Sequence, residues 1–144
     1  MSLKVKKIAT DDQLKAAFDI RENVFVREQQ VDPKDEYDEF EDSSVHFLAL
    51  LDEHPVGTAR WRFTKNGVKL ERFAVQKDAR GKGVGQALVA AVLEDILVHP
   101  EAAGKLKYLH AQLTAVPLYS KFGFKKVGDI FEECGIKHYQ MHLA

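Results

Sequence analysis

The chain has 144 residues, with 21 Lys and Arg against 22 Asp and Glu and a formal net charge of −1. This length fits one domain over residues 1–144, and the near-neutral charge gives no sign of nucleic-acid binding. Cys134 is the single cysteine, which excludes an internal disulfide. The longest apolar run, Ala87 to Leu93, is too short to span a membrane. We therefore expect a soluble, cytoplasmic domain with neither a membrane nor a nucleic acid as partner.

The N-terminal third predicts one strand and one helix. The strand covers Leu3–Ile8, and Thr10 to Gln13 has the form of a capping box, with a hydroxyl three residues before a glutamine. Apolar residues then recur at helical spacing as far as Phe25, which predicts about four turns of helix. Residues 32–42 carry seven acids and one lysine. Such a run is typical of a solvated loop or short irregular helix, and attraction of a cationic amine is the alternative.

The remaining chain predicts a sheet interrupted by two helices. Three successive strands, HFLALLDEH, PVGTARWRFT and KLERFAV, have a tight hairpin at Asn66-Gly67. A helix over about Val84 to Val98, the strand KYLHAQL, a short helix over Pro117 to Phe122 and the strands FKKVGDI and IKHYQMHL follow. This order predicts an α+β domain whose mixed, mostly antiparallel sheet has six to seven strands and helices on both faces.

The last predicted strand alternates between apolar and polar residues. Tyr139, Met141 and Leu143 share its more apolar face, which we expect to pack inward. His138 belongs to the other face and should border a cleft or solvent. His138 and His142 lie four residues apart on this strand, about 13 Å, which is too far to share one metal ion. We therefore expect no metal site, a structural role for His46, and Cys134 as a small apolar filler.

Three glycines at alternate positions, Gly81, Gly83 and Gly85, precede the helix that begins near Val84. A helix N-terminus has unpaired amides and a partial positive charge, and glycine lets an anion approach them. The spacing therefore favours a phosphate or pyrophosphate, and it fits neither a P-loop nor a dinucleotide fingerprint. A tight glycine turn with two solvated cations is the structural alternative.

Three segments together resemble the GNAT superfamily of N-acetyltransferases. Residues Arg80 to Gly85 match its [QR]xxGx[GA] signature, and LERFAVQKDAR and AVPLYSKFGFKKVG resemble its fourth strand and its later tyrosine segment. RENVFVREQ, LHAQ and GIKHYQM are similar to the bacterial YjcF/ElaA type of this superfamily. The resemblance spans nearly the whole chain.

The resemblance implies that acetyl-CoA is the co-substrate and that coenzyme A leaves as product. It places the pantetheine on the backbone of the fourth strand and the pyrophosphate on the amides of Gly81 to Gln86. Residues 80–86 are called the glycine segment below. It also implies a pantetheine contact at a position where many relatives have Asn and this chain has Gln112. The implied cofactor-binding residues are Phe73, Ala74, Val75, Arg80, Gly81, Lys82, Gly83, Val84, Gly85, Gln86 and Gln112.

The same resemblance implies roles for two side chains in acetyl transfer. Tyr119 is the general acid that protonates the leaving thiolate, with a purely packing tyrosine as the alternative. Glu71 is the base, directly or through water, and on a regular strand it shares a face with Phe73 and Val75. The alternative is a strand glutamate paired with Arg72 or Arg60.

The acceptor is the least determined part. Arg27 and Glu28 follow the first helix, which borders the acceptor cleft in this fold, so both are candidate substrate-binding residues. We expect a primary amine of a small molecule or peptide. Two other readings stay open: an inactive CoA-binding sensor or partner module, and an acyltransferase similar to acyl-homoserine-lactone synthases. A homodimer also stays open.

Overall fold

The computed structural model describes residues 2–143, which form a seven-stranded sheet with helices on both faces. The strands are β1 (Leu3–Lys7), β2 (Val45–Leu51), β3 (His54–Thr64), β4 (Gly67–Val75), β5 (Lys107–Gln112), β6 (Lys125–Glu133) and β7 (Ile136–Leu143). Their order in the sheet is β1-β2-β3-β4-β5-β7-β6. Every neighbouring pair is antiparallel except β4 and β5. The predicted α+β fold with a mixed sheet is confirmed.

The first helix, α1 (Asp11–Arg21), continues without a break into a π-helical segment, Glu22–Glu28. Its start is the predicted capping box, since the Thr10 hydroxyl accepts from the Gln13 amide and the Gln13 side chain accepts from the Thr10 amide. Two short helices, α2 (Pro33–Glu36) and α4 (Val116–Ser120), and the long α3 (Val84–Val98) complete the set.

Two apolar layers hold these helices against the sheet. On one face, α3 packs on the central strands around Trp61, Leu70 and Met141, each fully buried. On the other face, α1 and the π segment pack Ile20 and Phe25 against residues of β2 and β4. The alternating apolar positions of the strands supply both layers, because successive side chains point to opposite faces.

Two details of the hairpins differ from the sequence expectation. The turn between β3 and β4 consists of Lys65 and Asn66, and Gly67 is already the first residue of β4. A Cβ atom at Gly67 would lie 2.2 Å from the Leu106 carbonyl oxygen, so this glycine is required by a close backbone contact rather than by the turn. Cys134 is exposed in the β6–β7 turn with a φ of 53°, so the expectation of a buried filler is wrong.

Candidate acetyl-transfer site

A gap between β4 and β5 forms the centre of the site. The two strands pair only from Val68 to Leu70, whereas β4 stays paired with β3 as far as Val75. The amide of Gln76 donates to Val56 of β3, and successive amides alternate in direction along a strand. The backbone groups of Phe73 and Val75 therefore face the gap, where they have no partner strand.

A β-bulge at Arg72 precedes this open stretch. Its φ is 59°, and the β3–β4 register shifts between Thr58 and Arg60. The extra residue reverses the alternation, so Phe73 packs with the α3 layer while Ala74 packs with the α1 layer. Glu71 consequently lies on the side of Ala74. The expectation that Glu71 shares a face with Phe73 and Val75 is wrong, because that expectation assumed a regular strand.

The glycine segment lies at the wide end of the gap. Gly81 and Gly83 have φ values of 78° and 83°, and no neighbouring atom lies within 4 Å of where their Cβ atoms would be. Gly83 is the N-cap of α3, and the first intrahelical bond runs from the Ala87 amide to the Gly83 carbonyl. The amides from Val84 to Gln86 thus have no intrahelical acceptor. The segment presents open space and free amides to the cleft, which suits an anion.

The two cations of this segment differ in position. Arg80 donates to both carboxylate oxygens of Glu28, at 2.7 and 2.8 Å, and its Nε donates to the Val75 carbonyl at 3.0 Å. Lys82 is exposed, and its side chain lies outside the cleft lining. Only Arg80 therefore points along the cleft, and its terminal nitrogens bond the end of the π segment.

Gln112 is the last residue of β5, and its side chain crosses the gap. Its Nε2 donates to Gln29 Oε1 at 2.9 Å, and the Gln29 amide is 3.5 Å from Gln112 Oε1. Glu28 and Gln29, two consecutive residues, thus link the π segment to the glycine segment and to β5. π-helical turns occur frequently at functional sites.

Tyr119 lies in α4 with its ring buried between Phe73 and Phe124. Within residues 2–143, every fully buried side-chain nitrogen or oxygen has a hydrogen-bond partner. The Tyr119 hydroxyl has none among these residues, so it must border the open cleft. Burial raises the pKa of Tyr119, which keeps the phenol protonated at neutral pH.

Glu71 is 8% exposed and belongs to a cluster of ion pairs. Arg60, Arg62 and Lys69 all contact its carboxylate. Burial alone would raise the pKa of Glu71, but these cations outweigh it and hold the pKa below its usual value. The pairing with Arg60 that the sequence left open is therefore observed.

Three of the seven acids in residues 32–42 join the same cluster, whereas the other four, Asp32, Asp35, Glu39 and Asp42, are exposed. The run contains the short helix α2, which was one of the two sequence expectations. The three enclosed acids lie against three arginines: Arg21 bonds Glu36 and Glu41, Arg60 bonds Asp38 and Glu41, and Arg72 contacts Glu36 and Asp38. Arg21 and Arg60 are 1% and 0% exposed. A buried charge requires a partner, which is the physical reason that these three acids fold inward.

The sequence did not predict that His110 and Glu133 belong to the cleft. His110 Nδ1 lies 3.1 Å from Glu133 Oε2, and the rings of His110 and His138 both contact Phe131. His138 lines the cleft on the face of β7 opposite Met141, as the alternation predicted. Alternation along β5 could have placed His110 beside Gln112, but nothing local shows that β7 lies next to β5.

These features border one cleft of about 930 Å³. Of the predicted site residues it brings together Tyr119, Glu71, Glu28, Gln112, the open stretch of β4 and most of the glycine segment. Arg27 is exposed and lies outside this lining, so the cleft does not include this predicted substrate-binding residue. No group of three potential metal ligands occurs in residues 2–143. None of the helices in that range is both long and apolar enough to cross a membrane.

Comparison with known proteins agrees with this geometry. The acetyltransferase (GNAT) domain family matches residues 9–144. Uncharacterized N-acetyltransferase YjcF of Bacillus subtilis is 42% identical over 132 residues, covering 91% of this chain and 92% of its own. The crystal structure of Escherichia coli ElaA superposes with a TM-score of 0.87 at 28% identity, over 99% of this chain and 100% of that one.

A more distant structure shares the fold. Arabidopsis thaliana Naa50, in complex with the bisubstrate analogue CoA-Ac-MVNAL, has a TM-score of 0.76 at 21% identity, over 100% of this chain and 99% of its own. The family match and the YjcF relative each cover most of the sequence. The chain therefore belongs to the GNAT family of acetyltransferases.

Proposed function

We propose that the protein transfers the acetyl group of acetyl-CoA directly to a primary amine of a small molecule or peptide. The observation that carries this proposal is the Tyr119 hydroxyl, which borders the cleft beside the unpaired β4 backbone and has no partner in residues 2–143. A protonated group at that place can serve the leaving thiolate.

The thioester lies along β4 in this proposal, with the pyrophosphate at the amides of residues 81–86. The amine nitrogen attacks the carbonyl carbon, and an amide of the open β4 stretch stabilises the oxyanion. The C–S bond then breaks, and the thiolate takes its proton from Tyr119. The nitrogen loses one proton as the amide forms, which leaves a proton to restore the phenol. Gln112 contacts the pantetheine while bonded to Gln29.

The acceptor must lose a proton before attack, since alkylamines have pKa values of roughly 10. We propose that Glu71 attracts the ammonium group and accepts its proton through water. Arg60, Arg62 and Lys69 already contact the Glu71 carboxylate, so the proton reaches it through water instead of by direct contact. Glu28 borders the acceptor path but bonds Arg80, so its part in substrate binding requires that ion pair to open.

The test is a screen of primary amines for release of CoA from acetyl-CoA, with product mass as confirmation. Turnover with at least one amine supports the transferase. Tight acetyl-CoA binding without turnover of any amine would favour the alternative, a CoA-binding module that has lost catalysis. A preference for long acyl-CoA donors would instead favour an acyltransferase of the homoserine-lactone-synthase kind.

A further inference from the structure

Arg62 lines the cleft, and only part of its guanidinium group is bonded to other residues. Arg62 lies on β3 directly opposite Lys69 of β4, and both line the cleft. Its Nε bonds Glu71, and its guanidinium lies over the Phe40 ring at 3.8 Å. These two contacts fix the plane and the direction of the guanidinium group.

The terminal nitrogens of Arg62 have no hydrogen-bond partner in the part of the chain that the structure describes. The side chain is nevertheless only 14% exposed. Since every fully buried polar side-chain atom of residues 2–143 is bonded, both nitrogens keep some accessible surface, and Arg62 lines the cleft. Lys69 is equally enclosed, and within residues 2–143 its one ion pair is with Glu71 at 3.4 Å, so it too has donors left over.

Three acids that line the cleft near Arg62 already contact cations. Asp38 is bonded by Arg60 and Arg72, and Glu133 contacts His110. Arg60, Arg62 and Lys69 all contact Glu71. Arg62 therefore offers an oriented pair of N–H donors with a second cation beside it, and none of these three acids is hydrogen-bonded to that pair.

We infer that Arg62, assisted by Lys69, binds a carboxylate of the acceptor, so that the acceptor is a small amine that also carries a carboxylate. A planar fork with both terminal nitrogens free matches the two oxygens of a carboxylate. The inference rests on the proposed acetyl transfer for the position of the amine.

The spacing along the strand fits a small molecule. β4 and β5 separate after Leu70, and Lys69 is the residue before it. Lys69 and Phe73, whose backbone faces the gap, are four residues apart, at most about 13 Å along a strand. The side chains of Arg62 and Lys69 cover part of this distance, and a short amino acid with its amine toward the gap covers the rest.

The experiment compares matched amines that differ only in the acid group. Glycine, β-alanine and γ-aminobutyrate are each tested against their primary carboxamides, with CoA release as the readout. We expect kcat/KM to be at least tenfold higher for the best carboxylate than for the corresponding carboxamide. Taurine should react less well than β-alanine, because a sulfonate is not planar; equal rates would overturn the carboxylate assignment.

The variant Arg62→Gln should bring the ratio of carboxylate to carboxamide close to one. Arg62→Lys should keep part of the preference, because it retains the charge but not the fork. Lys65→Gln is the matched control, an exposed cation in the β3–β4 turn that lies outside the cleft lining. A preference that survives in Arg62→Gln would overturn the inference. Unchanged acetyl-CoA affinity shows that the variants keep their fold.

A binding experiment distinguishes a failure of the carboxylate site from a failure of the proposed acetyl transfer. The three carboxylates are titrated calorimetrically into wild type and Arg62→Gln, both saturated with CoA. Binding to wild type alone, without CoA release from any amine, would refute the transferase and support the carboxylate site. Turnover of amines and carboxamides alike, without carboxylate binding, would support the transferase and refute the site.

Discussion

The rings of Phe73 and Tyr119 meet edge to face, with centroids 5.6 Å apart and planes inclined by 71°. Phe73 belongs to the open stretch of β4, and Tyr119 belongs to α4, which follows β5. The contact therefore fixes the phenol ring against the strand that carries the unpaired amides. The ring is held by packing, so its hydroxyl can be removed without disturbing its position.

Tyr119→Phe should lower kcat by roughly 10²–10⁴, the usual range for a positioned general acid. The loss should appear equally in kcat/KM, because proton donation acts only in the transition state. Acetyl-CoA affinity, measured by calorimetry, should stay within a factor of two or three, since the ring contacts persist. Steady-state kinetics with any acceptor from the amine screen provides the check.

Full activity in Tyr119→Phe would show that Tyr119 only packs and is not the general acid. A pH profile adds a second check. Burial raises the pKa of Tyr119 above its ordinary value, so the proton stays on the hydroxyl at moderately alkaline pH. The wild-type kcat should therefore show no Tyr119-dependent decline below about pH 10, the usual pKa of the phenol.

Gly83→Asp should weaken acetyl-CoA binding by introducing a carboxylate and a Cβ atom where the pyrophosphate is proposed to lie. The backbone there has a φ of 83°, so strain alone costs about 1–2 kcal/mol of folding free energy. We expect at least a tenfold loss of affinity in calorimetry, about 1.4 kcal/mol.

The matched control is Gly104→Asp. Gly104 has a φ of 75° and equally open surroundings, but it lies outside the cleft lining. It should lose similar stability and keep its acetyl-CoA affinity. An equal loss of affinity in both variants would mean that strain, rather than a blocked phosphate site, explains Gly83→Asp.

Arg60→Met should destabilise the fold by about 3–5 kcal/mol in urea unfolding, because it removes the buried cation that three enclosed carboxylates share. Arg60 is fully buried and contacts Asp38, Glu41 and Glu71. Lys15→Met removes an exposed pair with Asp19 and should change stability by no more than about 0.5 kcal/mol. Comparable values for the two variants would show that the cluster contributes no more than surface charges do.

Acid should destabilise the protein between about pH 5 and pH 2. Burial alone would raise the pKa of Asp38, but bonding to Arg60 lowers it to about 2; bonding to His110 lowers the pKa of Glu133 to about 2. A carboxylate whose folded pKa is depressed stabilises the fold above its unfolded pKa, near 4, and loses that contribution as pH falls toward its folded pKa.

The free energy of unfolding, measured by urea titration at several pH values, should therefore fall as the pH is lowered through this window. Asp129→Asn replaces an exposed acid outside the ion pairs observed in residues 2–143, and should leave the slope unchanged. A flat wild-type profile from pH 5 to pH 2 would contradict the assignment of these two depressed pKa values.

The sequence by itself determined the order of the elements, the capping box at Thr10 and the position of the glycine segment before α3. These features depend on neighbours within a few residues, so local patterns are sufficient to predict them. The inward face of β7 followed for the same reason, since alternation holds along an uninterrupted strand. The tyrosine segment could be placed only through its resemblance to a family.

Tertiary structure alone decided which face of the sheet the Glu71 side chain lies on. It also decided the partners of the acidic run and the exposure of Arg62. The bulge at Arg72 reverses the alternation of β4, and no residue of LERFAV marks it. Asp38 and Glu41 of the acidic run meet Arg60 or Arg72 across 19 or more positions of the chain. Such contacts depend on which strands and helices become neighbours, and a pattern read over a few residues contains no information about distant partners.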